Sequence, residues 1–461
     1  MLVPSRIVSD AALHFYRMPW EAAIWPQMIF QISAAPLHAI GFPDAANVES
    51  WALGAMLAWF AWRIIRANSL SAAWSAFWVC GLCVGIYPVV WHVTGGAHAM
   101  GDLAMAAAIV AFVERDRLLA ATPPASYAAL VSILLLSAAS SKVSLVPVCV
   151  IMLCLSAGSV LRATPRNSAR RVMLSFLTPW VVLYCPIMLW TWIHSGSPFG
   201  PMLAGVFGPS IYVESWIHQT FQLAREINRP PLYVTGYYAL VGYSPLVWLG
   251  AAGAVFGAKV PHATCTVLGL LFVLQCILIY LLLPHDARFL GGIPFGLAII
   301  FASHALPRFR NFRIHARNMA VACTLLLLPW VAMQLYYATQ FFPVALGFEK
   351  RAFYERYVAL FDDYIELDAI LAKDSVLLTD ARLSSVYAPR PIFFDPLDVP
   401  PGKSVAFISL QPDGEGTPSP IDGFRLGEVI YANPRAVGTT FRTPGRNPDI
   451  RRLQVIQLHR E

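Results

Sequence analysis

Ionisable side chains in this sequence gather at a few points within largely apolar surroundings. The first group lies in the segment SDAALHFYRMPWE, which contains Asp10, His14, Tyr16 and Arg17. At helical spacing Asp10, His14 and Arg17 share one face, a grouping of the kind that acid–base chemistry uses. The alternative is a solvated helix that lies beside a membrane and has no catalytic part.

A second group lies in the segment HVTGGAHAMGDLAMA, which contains His92, His98 and Asp102. Asp102 stands near the start of an apolar helix, where the helix dipole favours a carboxylate, so a plain capping role is one interpretation. Two histidines and a carboxylate are also metal-ligand types, although their spacing fits no specific metal motif. A divalent metal therefore stays open, and no cofactor is assigned from the sequence.

Two cations stand beside apolar stretches, where an ionisable residue is costly and is usually functional. Lys142 lies in SSKVSLVP, and Arg288 lies in PHDAR together with His285 and Asp286. Snorkelling towards the membrane surface is the alternative for each cation. Two cations next to a membrane suit an anionic lipid headgroup, and an arginine fork can bind a phosphate through two hydrogen bonds.

The composition indicates that lipid is the main solvent of this chain. Hydrophobic residues make up 57% of the 461 residues and charged residues only 13%, about half the share in soluble domains. The net charge of +7 comes from Lys and Arg residues in short connections between apolar segments. That distribution is typical of membrane topology and argues against a nucleic-acid-binding surface.

Apolar windows of membrane-crossing length predict about ten transmembrane helices. We place them near 50–66, 72–92, 98–114, 126–141, 143–160, 172–192, 237–257, 263–283, 288–306 and 318–338. The basic residues of alternate connections then fall on one side, which the positive-inside rule makes cytoplasmic. These residues are Arg63, Arg66, Arg115, Arg117, Arg162, Arg166, Arg170, Arg171, Lys259, Arg308, Arg310, Arg313 and Arg317.

The fold class predicted is mainly α: a polytopic transmembrane helix bundle with a small C-terminal α/β domain on the outer face. Residues 1–48 form an outer segment with interfacial helices, because Pro26 and Pro36 interrupt its apolar stretch. Residues 49–340 form the bundle, with a long outer loop at 193–236. After about residue 340, charged residues and prolines return, and helical and short strand patterns predict a soluble domain over 341–461.

The order of these features resembles the bacterial GT-C-fold glycosyltransferases, including lipid A aminoarabinose transferases and protein O-mannosyltransferases. The resemblance rests on an Asp before interfacial helices, GDLAMA, SSKVSLVP, TWIHSGSPFGP, RFLGGIPFGLAI and a C-terminal outer domain. It spans nearly the whole chain through short motifs. It implies transfer of a sugar from a polyprenyl-phosphate carrier at the outer face of a bacterial cytoplasmic (inner) membrane, with a periplasmic C-terminal domain.

The same resemblance implies roles for individual residues. Asp10 corresponds to the first-loop acidic residue that deprotonates or orients the acceptor, and Asp102 to the second acidic position. Lys142 and Arg288 stand where ligands of the donor phosphate are expected. The residues expected to line the acceptor side are His14, Tyr16, Arg17, His98, His285 and Asp286.

The implied partners are a polyprenyl-phosphate-linked sugar, a lipid, glycan or protein acceptor, and membrane lipids. Two other classes stay open. A transporter or flippase of lipid-linked precursors would also bind an anionic carrier, although transporters tend to have internal repeats, and no convincing one is visible here. A non-catalytic membrane assembly protein would use its outer domain as a binding module.

Overall fold

The computed structural model contains two compact units, one mainly of residues Ala23–Tyr336 and the other mainly of Tyr337–Glu461, to which His14 also belongs. It describes residues 28–40, 45–68, 72–85, 97–200, 203–211, 231–257, 262–282, 287–304, 350–357, 360–379, 388–411, 421–438 and 450–461. It also describes shorter pieces at 11, 14–15, 87–88 and 348 and parts of 321–339.

The described residues of the first unit form helices joined by turns and short irregular connections. Its α-helices are α1 Met28–Ala39, α2 Ala45–Asn68, α3 Ala72–Cys83, α4 His98–Val113, α5 Arg115–Ala121, α6 Pro124–Ser141, α7 Val146–Ala163, α8 Arg166–Pro179, α9 Cys185–Ser195, α10 Leu232–Gly242, α11 Pro245–Gly257, α12 His262–Leu282 and α13 Ile293–His304. A 3₁₀ turn at Val143–Leu145 precedes α7, a π-helical turn at Trp180–Tyr184 joins α8 to α9, and a 3₁₀ turn at Ala287–Leu290 precedes α13.

Four helical segments among the described residues are long and apolar enough to cross a membrane. They are Pro124–Ser141, Val143–Ala163, Arg166–Ser195 and Thr264–Leu281. Four shorter apolar helices are Ala72–Cys83, His98–Val113, Pro245–Val255 and Ile293–His304. The chain is therefore a mainly helical protein with four helical segments able to cross a membrane among its described residues, in agreement with its composition.

Helices α4 and α13 form the centre of this unit. Helix α4 packs against α2, α6 and α13, and nearly every residue of α13 is buried. Small residues allow the backbones to approach closely, as at Gly296, where an added Cβ would lie 3.2 Å from the Ala106 Cα. The two helices are consequently fixed by backbone-to-backbone contact.

The structure divides two predicted spans into shorter pieces. In the 237–257 window, α10 ends at Gly242 and Tyr243 has extended backbone angles (φ −99°, ψ 149°). Pro245 then opens α11, because proline disfavours helix in the preceding residue and fits the first helical position. In the 72–92 window, α3 ends at Cys83.

The second unit is a small α/β domain. Helices α14 Lys350–Tyr357 and α15 Phe361–Ile370 precede the strands β1 Val376–Thr379, β2 Ile392–Phe393, β3 Val405–Gln411, β4 Phe424–Gly438 and β5 Ile450–Arg460. The sheet order is β2-β1-β3-β5-β4, with β1 parallel to β2 and β3, and β5 antiparallel to β3 and β4. Leu367 of α15 packs with Leu377 and Ile408 of the sheet.

A polar contact connects α15 to the edge strand β4 of this domain. The Tyr431 hydroxyl donates to the Asp363 carboxylate at 2.8 Å, and the Asn433 side-chain amide donates to the same oxygen at 2.7 Å. Burial, followed by this hydrogen bond to a carboxylate, raises the pKa of Tyr431 above its ordinary value. The contact therefore requires the protonated phenol.

Candidate functional site

Three of the predicted site residues come from three separate stretches that meet in the helical unit. Asp102 lies in the first turn and a half of α4, and Lys142 lies at the junction of α6 and α7. Arg288 lies in the 3₁₀ turn before α13. Lys142 has extended backbone angles (φ −146°, ψ 109°), which end α6 and turn the chain towards α7.

The Lys142 ammonium lies among polar partners from all of these stretches. It donates to the backbone carbonyl of Arg288 at 2.6 Å and to the Tyr87 hydroxyl at 2.7 Å. Its Nζ lies 3.6 Å from Oδ1 of Asp102, within ion-pair distance. The Tyr87 hydroxyl in turn donates to the Arg288 carbonyl at 3.2 Å. Lys142 thus connects Asp102 to the Arg288 turn.

The ion pair is buried from solvent. The side chains of Lys142 and Asp102 are 5% and 0% exposed, whereas the Arg288 residue is half-buried. Removal of two charges from water costs several kcal/mol per ion unless close partners and hydrogen bonds compensate. The hydrogen bonds from Lys142 to Tyr87 and to the Arg288 carbonyl supply part of that compensation.

The turn that contains Arg288 is fixed through its backbone carbonyls. Tyr87 and Lys142 donate to the carbonyl of Arg288, Gln275 of α12 donates to that of Phe289 at 2.7 Å, and Tyr243 donates to that of Gly291 at 3.2 Å. In an apolar medium, backbone groups outside regular helices need such partners. We call this set of side chains, Tyr87, Lys142, Tyr243 and Gln275, the carbonyl clamp.

Two glycines bring this turn against the other site elements. Gly291 has a left-handed φ of +59°, which glycine adopts without strain. A Cβ on Gly292 would collide with the backbone carbonyl of Asp102. The turn and the start of α4 therefore touch backbone to backbone, next to the Lys142 ammonium.

No known protein-family model matches this chain, and no curated protein sequence matches it significantly. The chemistry of the site must accordingly be argued from its own residues.

The arrangement suits binding of an anion at an apolar helix bundle. Lys142 is held beside a carboxylate and a tyrosine, and Arg288 follows on a fixed turn with its Cζ 5.1 Å from the centre of the Phe289 ring. An ammonium and a guanidinium on adjoining elements can bind the non-ester oxygens of one phosphate. The Asp102 carboxylate lies within ion-pair distance of the ammonium and compensates part of its charge.

Some of the other predicted site residues lie outside the described residues and others lie within them. Asp10, Tyr16, Arg17, His285 and Asp286 lie outside the described residues. His14 is described and is exposed. His98, in the first turn of α4, lies with its ring centre 6.3 Å from that of Tyr87, edge to face. Their predicted roles stay predictions.

A metal centre has no ready-made ligand set in the part of the chain that the structure describes. Within those residues, no group of three or more His, Cys, Asp or Glu side chains is placed to hold a metal ion. Asp102 lies beside an ammonium instead.

Tyr87, Tyr243 and Gln275 were not predicted from the sequence as site residues. Gln275 had a usable signal, because it is a polar residue inside the apolar run LFVLQCILIY of α12. Tyr243 stands in GYSP, where the proline marks a helix break next to a polar pair. Tyr87 stands in GIYPVV and has no comparable signal beyond its proline neighbour.

Proposed function

We propose that this protein is a membrane glycosyltransferase that moves a sugar from a polyprenyl-phosphate donor to an acceptor. The observation that supports this most is the contact of Lys142 with both Asp102 and the Arg288 turn in an apolar helical unit. The three residues are ones to which the resemblance assigns the second acidic position and the donor phosphate ligands. A buried ammonium of this kind is costly in a membrane protein and is usually functional.

In the proposed reaction an acceptor hydroxyl attacks the anomeric carbon of the donor sugar. A new carbon–oxygen bond forms, the bond from that carbon to the phosphate oxygen breaks, and the polyprenyl phosphate leaves with the electron pair. Lys142 and Arg288 bind the phosphate and stabilise the charge that grows on the leaving oxygen. Direct displacement of this kind inverts the anomeric centre.

A carboxylate takes the proton of the attacking hydroxyl. Asp10 is the residue we propose for this step, as general base. Asp102 is 0% exposed and lies beside Lys142, so its proposed part is to hold the ammonium in place through the ion pair. His14, Tyr16, Arg17, His98, His285 and Asp286 are the proposed acceptor-side residues.

The proposed topology has about ten membrane-spanning helices, as the apolar windows predict. The arginine-rich connections face the cytoplasm, and the site and the C-terminal domain face the outside of a bacterial cytoplasmic membrane. Cysteine accessibility tests this assignment. We expect an engineered cysteine in place of the exposed Leu397 to react with a membrane-impermeant reagent in intact spheroplasts. Reaction only after permeabilisation would contradict the topology.

Depletion in cells separates the proposed transferase from a transporter. A transferase leaves one glycan unmodified while its lipid-linked donor still reaches the outer leaflet. A flippase leaves the donor on the inner leaflet, and an assembly protein leaves both transfer and donor placement intact. Loss of donor from the outer leaflet on depletion would overturn the proposed function.

A further inference from the structure

Tyr87 is the residue through which Lys142 and the Arg288 turn are joined. Its hydroxyl accepts a hydrogen bond from the Lys142 ammonium at 2.7 Å and donates one to the Arg288 carbonyl at 3.2 Å. The same ammonium donates to that carbonyl at 2.6 Å. The three groups therefore form a closed triangle, in which displacement of one group breaks two contacts.

The ring of Tyr87 is itself fixed by stacking. It lies parallel to the ring of Tyr243, with centroids 4.9 Å apart and an interplanar angle of 21°. Tyr87 and Tyr243 are 2% and 0% exposed. Since Tyr243 donates to the Gly291 carbonyl, the stacked pair holds the Arg288 turn at two of its carbonyls.

We propose that Tyr87 is a positioning residue, which aligns the Lys142 ammonium with the Arg288 turn so that both cations meet one donor phosphate. This inference rests on the proposed function. It assigns the alignment of the two phosphate ligands to a tyrosine that acts through Lys142 and not on the sugar or the acceptor. A positioning role through Lys142 requires the hydroxyl group, whereas packing alone requires only the ring.

The matched pair of variants is Tyr87→Phe and Tyr127→Phe. Tyr127 is 1% exposed, and its hydroxyl donates to the backbone carbonyl of Ala111 at 3.1 Å. Both substitutions keep a buried ring and remove one tyrosine-to-carbonyl hydrogen bond. Only Tyr87→Phe also removes an acceptor from the Lys142 ammonium. The difference between the two variants therefore reports the contacts that the Tyr87 hydroxyl makes with the Lys142 ammonium and the Arg288 carbonyl.

The measurement is binding of a polyprenyl phosphate to the full-length protein in nanodiscs, with phosphatidylglycerol as the competing anionic lipid. We expect Tyr87→Phe to weaken binding by about tenfold or more, since it removes a hydrogen bond to a charged group that would contact the phosphate. Tyr127→Phe should bind within about threefold of wild type. Equal binding by wild type and a folded Tyr87→Phe variant would overturn the inference.

A double-mutant cycle with Lys142→Met shows whether Tyr87 acts through Lys142. On the Lys142→Met background we expect Tyr87→Phe to weaken polyprenyl phosphate binding much less than it does in the wild-type protein, because only the hydrogen bond to the Arg288 carbonyl is left to lose. Full additivity of the two substitutions would overturn the positioning role, even if each one weakens binding. Absence of polyprenyl phosphate binding by wild type would overturn the proposed donor class instead, and this result precedes any comparison of variants.

Discussion

The Lys142 ammonium lies 3.6 Å from the Asp102 carboxylate, and both side chains are buried in the helical unit. The two residues are 40 positions apart in the sequence and come from different helices, α4 and the α6–α7 junction. A buried pair of this kind tolerates loss of one partner poorly, because the other charge is left without compensation.

Lys142→Met is expected to lower the free energy of unfolding by about 3–5 kcal/mol, the usual cost of breaking a buried pair. The double variant Asp102→Asn/Lys142→Met should lose less free energy of unfolding than the sum of the two single variants, because it leaves no buried charge without a partner. Thermal unfolding in detergent measures both. The control is Asp116→Asn, which removes the ion pair between Asp116 and Arg115. Because the Asp116 side chain is 84% exposed, this substitution should lower the free energy of unfolding by less than about 1 kcal/mol.

Gly292→Ala tests the backbone contact between the Arg288 turn and α4. The added Cβ would meet the Asp102 carbonyl, so the turn must shift, and overpacking of this kind costs about 1–3 kcal/mol. Gly158→Ala is the matched control, because a Cβ there meets nothing within 4 Å and alanine favours the helix. A Gly292→Ala variant as stable as wild type would contradict the close approach of the two elements.

The ionisable site residues could be chosen from the sequence because a charged side chain within an apolar segment is energetically costly and is usually functional. Lys142 interrupts apolar residues, and Asp102 opens an apolar helix, so each stood out without any knowledge of its neighbours. Their contact could not be predicted, because it depends on how α4, α6 and α13 pack. The carbonyl clamp could not be predicted from the sequence for a related reason. Hydrogen bonds from Tyr87 or Tyr243 to backbone carbonyls place no constraint on the sequence of the accepting turn.

The elements of the C-terminal domain were predicted to different extents. The strand patterns DSVLLTD, RPIFFDP, KSVAFISL and LQVIQLH predict strands where the structure has β1, β2, β3 and β5. Strand β4 was not predicted, because Gly427 and Pro434 interrupt its pattern. The structure accommodates the interruption through register shifts between β4 and β5, which sequence periodicity cannot represent.

The Tyr431 contact predicts alkaline sensitivity of the C-terminal domain. Burial and the Asp363 hydrogen bond raise the pKa of Tyr431 in the folded state. The unfolded chain loses the phenolic proton at its ordinary pKa of about 10, so stability is complete below that pH and falls as pH rises above it. Burial also raises the pKa of Tyr364, which adds to the same loss.

Pulse proteolysis of full-length protein in urea, from pH 8 to pH 11, measures this effect. Tyr431→Phe should be less stable than wild type at pH 8, because it loses the hydrogen bond to Asp363. The same variant should lose less stability between pH 9 and pH 11. Identical pH dependence in wild type and Tyr431→Phe would contradict the assignment to Tyr431.

Substitution of Arg288 distinguishes a phosphate ligand from a snorkelling residue. Lysine keeps the charge and loses the planar fork of donors, so Arg288→Lys should lower turnover more than donor binding if the contact strengthens as the glycosidic bond breaks. Arg288→Ala should damage both. A snorkelling arginine would be replaced by lysine with little effect. Wild-type turnover in a correctly folded Arg288→Lys variant would remove the phosphate-ligand role.

Release of polyprenyl phosphate from a polyprenyl-phosphate sugar, catalysed by the purified protein in nanodiscs with an envelope extract as acceptor, tests the central claim most directly. Hexose, pentose and aminopentose donors are tried in parallel, each with wild type, Lys142→Met and the Asp116→Asn control. We predict acceptor-dependent release by wild type and by Asp116→Asn, and a loss of at least about 100-fold in Lys142→Met, as for removal of one electrostatic stabiliser. No release by wild type from any donor, or equal release by wild type and Lys142→Met, would contradict the account.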